Sequence, residues 1–392
     1  MANGIVKTNT VIAVNEETTE GTADVPGSAT DGYIQPLEDG FELNPSKELL
    51  EREILTSSIG SVTPRVGQKS VAGSLPVEFR ASGTEGGDVD FGILLESALG
   101  NNRQVGSRTT TGAGHTTSVL NIASADSTYA VGDPILILES GDHSLHVCTA
   151  VDSSTLTYSP ARSGAPSDAV EVAQLTTYFP TNTGHPTFTA NYYWANEILE
   201  QALGCRVTSL SLDNFSTGGL ASWNFGFEGL SFSRADGSAA HTPSYDSGLP
   251  PVILNACIFQ DGNQLQMNDL TLSLSNTVAF KTDSCDANGK VASRFTAREI
   301  TGTLNPYTDD TSVDQFDKFD QNTEYSLIVT AYTPSSTTGE IDLGTAITIY
   351  MPSCVTVEAP IGDLEGLLTD NLTYRATRGS TGDNEEIYIG LV

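Results

Sequence analysis

The sequence predicts a mainly β chain: two tandem β-sandwich or barrel domains, each with a short helix, plus a small inserted β domain. Three observations lead there. The 392 residues include 37 Gly and 17 Pro among abundant Ser and Thr, a composition that suits many strands joined by turns. The 13 Tyr and 14 Phe supply a packed core that a disordered acidic chain lacks. One pattern of residues also occurs twice, at the same spacing in each half of the chain.

In chain order, the stretch 1–32 includes Glu16-Glu-Thr-Thr-Glu-Gly-Thr-Ala-Asp-Val-Pro-Gly. It is polar and turn-rich, and is expected to be an arm rather than a core element. Phe41-Glu-Leu-Asn-Pro reads as a first strand, followed by a loop-rich run through Ser57-Ser-Ile-Gly-Ser-Val-Thr-Pro-Arg. Ser70-Val-Ala-Gly-Ser-Leu-Pro-Val-Glu-Phe-Arg alternates as a strand pair does. Asp88-Val-Asp-Phe-Gly-Ile-Leu-Leu-Glu-Ser-Ala-Leu-Gly is the clearest helix. Acidic residues occupy its first turn, Phe91, Leu94, Leu95 and Leu99 share one side, and Gly100 stops it.

Residues 101–177 differ in style. A Thr109-Thr-Thr-Gly-Ala-Gly linker opens them, and short strands follow at Ser118-Val-Leu-Asn-Ile, Pro134-Ile-Leu-Ile-Leu, Leu145-His-Val-Cys-Thr-Ala-Val, Thr155-Leu-Thr-Tyr and Ala169-Val-Glu-Val. The turns Val131-Gly-Asp-Pro and Glu139-Ser-Gly-Asp are spaced as in a small barrel or sandwich. This segment reads as a module inserted after the helix.

The duplication rests on order and spacing. Leu43 precedes Gly73-Ser-Leu-Pro by thirty positions, and Leu272 precedes Gly302-Thr-Leu-Asn-Pro by the same thirty. Each Gly-[Ser/Thr]-Leu strand is followed by an acidic, apolar helix, Asp88–Leu99 in the first half and about Ser312–Phe319 in the second. Gly204-Cys-Arg-Val-Thr then parallels Ser353-Cys-Val-Thr-Val, and Trp223-Asn-Phe-Gly-Phe-Glu parallels Asp370-Asn-Leu-Thr-Tyr-Arg. The expected organisation is an arm (1–32), a first domain in two pieces (33–100 and 178–240), the inserted module (101–177) and a second domain (250–392). A linker from Arg234 to Pro251 joins the copies.

Charge and chemistry exclude several functions. With 18 basic and 49 acidic residues the formal net charge is −31, which argues against a groove that grips nucleic acid by neutralising phosphates. No window approaches the roughly 18 consecutive apolar residues of a spanning helix, so no membrane insertion is expected, and the first residues carry no secretory pattern. Five widely spaced cysteines form no C-x-x-C pair and fit no zinc spacing; free thiols in a cytosolic product are expected. No nucleophile elbow, phosphate loop or zinc helix is present. His143 and His146 fall on opposite faces of a strand, which suits a surface turn better than a metal site. Asp283-Ser-Cys-Asp-Ala-Asn-Gly lacks the closing Glu of a calcium loop and reads as a hairpin turn. Asp314 and Asp317, in the densest acidic cluster, are spaced as a carboxylate pair on a helix. The favoured reading is a solvated face over buried Phe316 and Phe319. No catalytic residue, cofactor or metal is expected.

These residues resemble the major tail tube proteins of long-tailed bacteriophages in their larger, duplicated form. The resemblance covers roughly 30–100 and 178–392. It rests on Leu43-Asn-Pro-Ser with Glu51-Arg-Glu, Val71-Ala-Gly-Ser-Leu-Pro-Val-Glu-Phe, Leu94-Leu-Glu-Ser-Ala-Leu-Gly, Leu270-Thr-Leu-Ser-Leu-Ser-Asn, Ile300-Thr-Gly-Thr-Leu-Asn-Pro-Tyr and Ile349-Tyr-Met-Pro. It implies β-sandwich domains flanked by a helix, six to a ring, with rings stacked into a hollow tube through which DNA passes. A chain with two copies then closes a ring with three subunits. The implied partners are the chain itself, a tape measure protein, tail terminator and tip proteins, and double-stranded DNA passing through the lumen without tight binding. A virion location follows. A tail-tip, decoration or fibre-like phage protein that contacts the host is the alternative, and a carbohydrate-active enzyme using Asp314 and Asp317 comes third.

Two groups of residues are singled out on that basis. An acidic lumen repels phosphate, and its candidates are Glu78, Glu228, Asp309, Asp310, Asp314 and Asp342. The loops about Thr56–Lys69 and Thr282–Arg298 are candidates for contacts between subunits, with Ile59, Arg65, Lys69, Lys290, Arg294 and Arg298 as their residues.

Overall fold

Strand Met267–Thr282 sets the style of the molecule: Leu270, Leu272 and Leu274 are buried while Thr271, Ser273 and Ser275 are exposed. Such alternation covers a core with one face and leaves the other open. The computed structural model of the chain, which describes residues 6–55, 57, 59–308, 313–379 and 384–392, extends this pattern into an antiparallel ladder. Its strands, in spatial order, are Glu42–Leu50, Arg65–Glu78, Ser222–Gly229, Ile198–Asp213, Met267–Thr282, Lys290–Pro306, Leu372–Ala376 and Ile347–Glu358. Leu75, Trp223, Leu210, Leu272, Leu304 and Tyr374 belong to one continuous core beneath it.

A second layer closes over that core in each half. In the first half Tyr33–Ile34 pairs with Val11–Glu16, which pairs with Phe188–Trp194, which pairs with Ile198–Asp213; Ser231–Asp236 flanks that last strand. In the second half Asn263–Leu265 pairs with Ala256–Gln260, which pairs with Tyr325–Ala331, which pairs with Ile347–Glu358; Tyr388–Leu391 flanks it. The two halves therefore match pairing for pairing. One long strand in each half, Ile198–Asp213 or Ile347–Glu358, passes from the second layer into the ladder. Both shift register at the corresponding place, between Val207 and Ser209 opposite Ser222–Gly229, and between Thr356 and Glu358 opposite Leu372–Ala376. A bulge sharpens local twist and lets a strand change layers.

The repeated Gly-[Ser/Thr]-Leu has a packing cause. Gly73 lies opposite Phe227, and Gly302 lies opposite Tyr374. A Cβ at either glycine would collide with that aromatic ring, so both positions stay glycine where a neighbouring ring crosses the backbone.

The helix expected over Asp88–Leu99 is Gly92–Leu99, ended by Gly100 at φ +132°. It starts late because the acidic residues before it have other partners: Arg80 holds Asp90 at 2.6 Å and Tyr178 donates to Asp88. The second helix, Val313–Asp320, packs on Ile347–Glu358. Its Phe316 is exposed rather than buried and Phe319 is half-buried, so the expected apolar underside is only partly covered by the described residues.

Two further differences from the sequence reading concern strands. The stretch expected to be an arm contains Val11–Glu16, a strand whose Ile12, Ala13 and Val14 are all buried. A strand covered on both faces shows an apolar run instead of alternation, and polar neighbours masked so short a run. Glu17 anchors the turn that follows, accepting from the backbone N–H groups of Gly21 and Gly204, each at 2.7 Å, and from the Thr189 hydroxyl. Finally, the presumed strand pair at Ser70–Arg80 is one strand, Arg65–Glu78, between two partners.

The inserted module is a separate sheet in the order Arg108–Thr109, Glu171–Val172, Pro134–Glu139, Asp142–Val151, Thr155–Ser159 and Val119–Asn121. Its core, with Leu120, Ile135, Leu156 and Val172, continues into Ile341, Ala346 and Val392 of the second half. Its stem strands Gly100–Val105 and Leu175–Pro180 pair with each other, and the latter also pairs with Tyr388–Leu391. A module inserted into the first half is thus packed against the second. His143 and His146 do face different surroundings: the first lies 3.2 Å from the Ile341 carbonyl oxygen, and the second is buried against that of Pro160.

Candidate functional site

The ladder has an open face and two edges without a strand partner among the described residues, and these are its chemically distinctive surfaces. Small polar residues dominate the open face: Asn44, Ser46, Ser74, Asn224, Ser209, Ser211, Thr271, Ser273, Ser275, Thr301, Thr303 and Thr373. The register puts Glu42, Glu78, Asp213, Glu228 and Glu299 on the same face. Arg375 also lies there, 3.3 Å from Glu299. A hydroxyl-rich surface with sparse, net negative charge offers duplex phosphates neither neutralising cations nor an apolar grip.

Of the acidic residues picked from sequence, Glu78 and Glu228 therefore share this face. Asp342 lies apart, in the loop beside the inserted module, where its carbonyl accepts from the Thr345 hydroxyl. Asp309 and Asp310 lie outside the described residues, as does the Asp314 side chain.

The residues picked as interface loops belong to two long hairpins. The first, Glu42–Leu50 with Arg65–Glu78, bears exposed Leu49, Leu50, Ile54, Leu55, Ile59 and Val66 around its tip, together with exposed Arg65. These exposed apolar side chains gather at one hairpin of a very acidic chain. The second, Met267–Thr282 with Lys290–Pro306, ends in a turn whose Asp283 and Asp286 carboxylates accept from the backbone N–H groups of Cys285 and Asn288. Its tip lies against the first hairpin, with Gly289 beside Gln68. The Lys290 ammonium lies 4.2 Å over the Phe280 ring.

Arg294 and Arg298 are committed within the chain. Arg294 pairs with Glu20 at 3.0 Å, and the same carboxylate accepts from the backbone and hydroxyl of Ser293. Arg298 reaches back to the first half, donating to the carbonyl oxygens of Leu99 and Thr181. Asn276, directly opposite it on the ladder, donates to Ala98 O at 2.9 Å and Val207 O at 3.2 Å. Together they satisfy carbonyl groups that the helix Gly92–Leu99 leaves free at its C-terminal end. This is the seam between the halves, where Ser209–Leu212 pairs with Leu272–Ser275. The sequence singled out Arg298 for a contact between subunits, not for this intrachain role, and did not single out Asn276. The signal was present, because Asn276 interrupts the apolar Leu270, Leu272, Leu274 pattern on the buried side of its strand.

A cleft of about 590 Å³ beside the first helix collects Glu16, Asp31, Asp88, Asp90, Glu96 and Asp246. Burial, reinforced by the neighbouring Asp88 and Glu16 charges, pushes Glu96 up to about 7. Burial pushes Asp90 up to about 6, against the opposing pull of Arg80. A carboxyl that holds its proton more tightly when folded stabilises the fold at low pH. That contribution is lost as pH rises from the unfolded value, near 4, through the folded one. Glu96→Gln is thus expected to stabilise the chain at pH 8 by on the order of 1 kcal/mol, solvent screening of a half-exposed group included, and to have little effect at pH 4. Urea unfolding at both pH values measures this; equal shifts at both would sink it.

Among the described residues no group of three or more His, Cys, Asp or Glu is arranged to hold a metal ion. None of their helices is long and apolar enough to cross a membrane. The five cysteines are free thiols, with Cys205 and Cys354 buried at matching positions of the two long strands, opposite Phe188 and Tyr325.

No curated protein matches the chain. A family model described as phage tail tube protein matches residues 7–376, a span that takes in both halves of the ladder, the inserted module and the second layers apart from Tyr388–Leu391. The chain belongs to the phage tail tube protein family, a structural component of the virion tail.

Proposed function

We propose that three copies of this chain close into a ring of six tube units, and that the rings stack into the hollow tail tube through which the phage genome leaves. The observation that carries this reading is the matching of pairings between the halves: the unit at 11–99 and 188–236 recurs at 256–391. Two such units are already joined edge to edge inside one chain, and a twofold repeat within a subunit halves the number of subunits in a closed ring. The inserted module occurs once per chain and breaks that repeat.

Three ladders joined edge to edge form a closed barrel without free edges, which removes the hazard of exposed strands. Strands about 4.8 Å apart in such a barrel give a bore on the order of 30 Å after inward side chains are placed, with strand tilt widening it. With the open face turned inward, Glu78 and Glu228 belong to the lumen, and DNA passes without being held. A tape measure protein inside the tube, and terminator or tip proteins at its ends, are the partners this role brings.

End-on electron microscopy of the concentrated protein tests the reading. Hollow rings or tubes with three outer protrusions are expected, one per inserted module. Solid or irregular particles would move the chain to the tail-tip or decoration class, and six protrusions would overturn the trimer.

A further inference from the structure

This inference rests on the reading of the chain as a self-associating tube subunit, and it names the residues that join one copy to the next. The ladder ends in two edges that have no strand partner among the described residues. There, Glu42–Leu50 pairs with Arg65–Glu78 alone, and beyond Tyr325, which lies opposite Cys354, no strand pairs on the outer side of Val355–Glu358. These two edges belong to the counterparts of the two strands that meet at the internal seam, where the segment Ser209–Leu212 corresponds to Glu358–Ile361. Leu43 lies opposite Gly73 as Leu272 lies opposite Gly302, so Glu42–Leu50 corresponds to Met267–Thr282. The matching bulges make Ser209 correspond to Glu358.

Carrying the internal register across gives a specific outer junction. Ser209 lies opposite Ser275, so Glu358 of one copy comes opposite Ser46 of the next. The facing pair Asn276 and Arg298 corresponds to the facing pair Lys47 and Lys69. Inside the chain, Asn276 and Arg298 bind the carbonyl end of Gly92–Leu99. Their counterparts in the outer junction meet the carbonyl end of Val313–Asp320, the helix that packs on Ile347–Glu358 as Gly92–Leu99 packs on Ile198–Asp213.

Charge supports the match. The internal helix is apolar, with the sequence Gly92-Ile-Leu-Leu-Glu-Ser-Ala-Leu, and it meets one cation and one amide. The second helix is acidic, with Asp317 and Asp320 exposed near its end. The hairpin that would meet it carries Lys47 on its outer strand and, opposite it, Lys69, whose ammonium lies 5.9 Å from the Phe232 ring centroid, in a chain with only 18 basic residues. Cations are favoured at a helix C-terminus, more so beside carboxylates. Apolar side chains left exposed at these two edges, Leu49, Leu50 and Val66 on one and Phe316, Val357 and Ile361 on the other, are the kind of surface that association covers.

We propose that Lys47 and Lys69 of one copy dock on the C-terminal turn of helix Val313–Asp320 of a second copy, with Ser46 opposite Glu358 in a continued antiparallel ladder. The test uses the full chain carrying Cys285→Ser, which removes the exposed thiol. Lys47→Asp with Lys69→Asp is expected to reduce sedimentable tubes at least about tenfold while leaving the circular dichroism spectrum and urea midpoint of the monomer unchanged. Adding Asp317→Lys and Asp320→Lys should restore assembly, an outcome that mere edge protection by lysine does not produce. In parallel, Ser46→Cys with Glu358→Cys should give chains linked by disulfide on oxidation of assembled tubes, and either single cysteine should not.

Wild-type tubes together with fully assembling lysine variants, or with no crosslink, would overturn the junction and leave the tube reading standing. A wild-type chain that stays monomeric at every concentration would overturn both.

Discussion

Gly302→Ala is expected to destabilise the chain by on the order of 3 kcal/mol, the upper end of the cost of overpacking a core. An added methyl overlaps the Thr271 carbonyl oxygen and the Tyr374 hydroxyl. Both neighbours are fixed, since Thr271 is on the paired strand and the Tyr374 hydroxyl donates to that same carbonyl at 2.9 Å. Gly73→Ala is the matched control. There the methyl meets chiefly the tip of the Phe227 ring, a side chain able to tilt, and the Glu42 carbonyl oxygen at 2.8 Å. It is expected to cost less, on the order of 1–2 kcal/mol. Urea midpoints of the two variants measure the difference. Equal and negligible shifts would mean that the glycines do not mark close crossing of ring and backbone in each half.

The second large effect concerns the open face. Glu78→Lys with Glu228→Lys is expected to turn a tube that ignores duplex DNA into one that retains it. Each chain then presents two cations where it had two carboxylates, on a face whose register also carries Glu42, Asp213 and Glu299. If about six of these lysines in a ring neutralise phosphates, retention should fall about a thousandfold between 50 and 200 mM salt. Co-sedimentation of labelled duplex with assembled tubes over that range reads both amount and slope. A double variant as inert as the wild type would place those residues away from the DNA path.

Much of this architecture was legible in local sequence. The thirty-residue spacing of Leu43 to Gly73 and of Leu272 to Gly302 marks the strand pairs at which the two halves correspond. Gly100 ends its helix as expected, at a φ that favours glycine. Strands of the inserted module begin and end within a few residues of their turn signals, because hairpins are local and their turns are written in Gly, Asp and Ser.

What stayed hidden was the pairing between distant strands. Val11–Glu16 bonds to Phe188–Trp194, and nothing near Val11 specifies a partner so far along the chain. Glu78 and Glu228 meet on one face only because Arg65–Glu78 and Ser222–Gly229 are neighbours, a fact of topology rather than of either segment. Asp342 has similar chemistry, yet its loop follows the inserted module. Arg294 and Arg298 were visible as scarce cations, but their partners Glu20 and the Leu99 carbonyl come from remote segments. Phe316 and Phe319 read as a buried underside, whereas among the described residues Phe316 is exposed and Phe319 half-buried.

The central claim is that two units in one chain make a ring of three chains. The most direct test is the mass of a single closed ring, released from the tube under mild conditions and weighed intact by native mass spectrometry. Three times the 41.3 kDa chain mass is the expected result. A ring of six chains would contradict it, since twelve units cannot close on the spacing that six define.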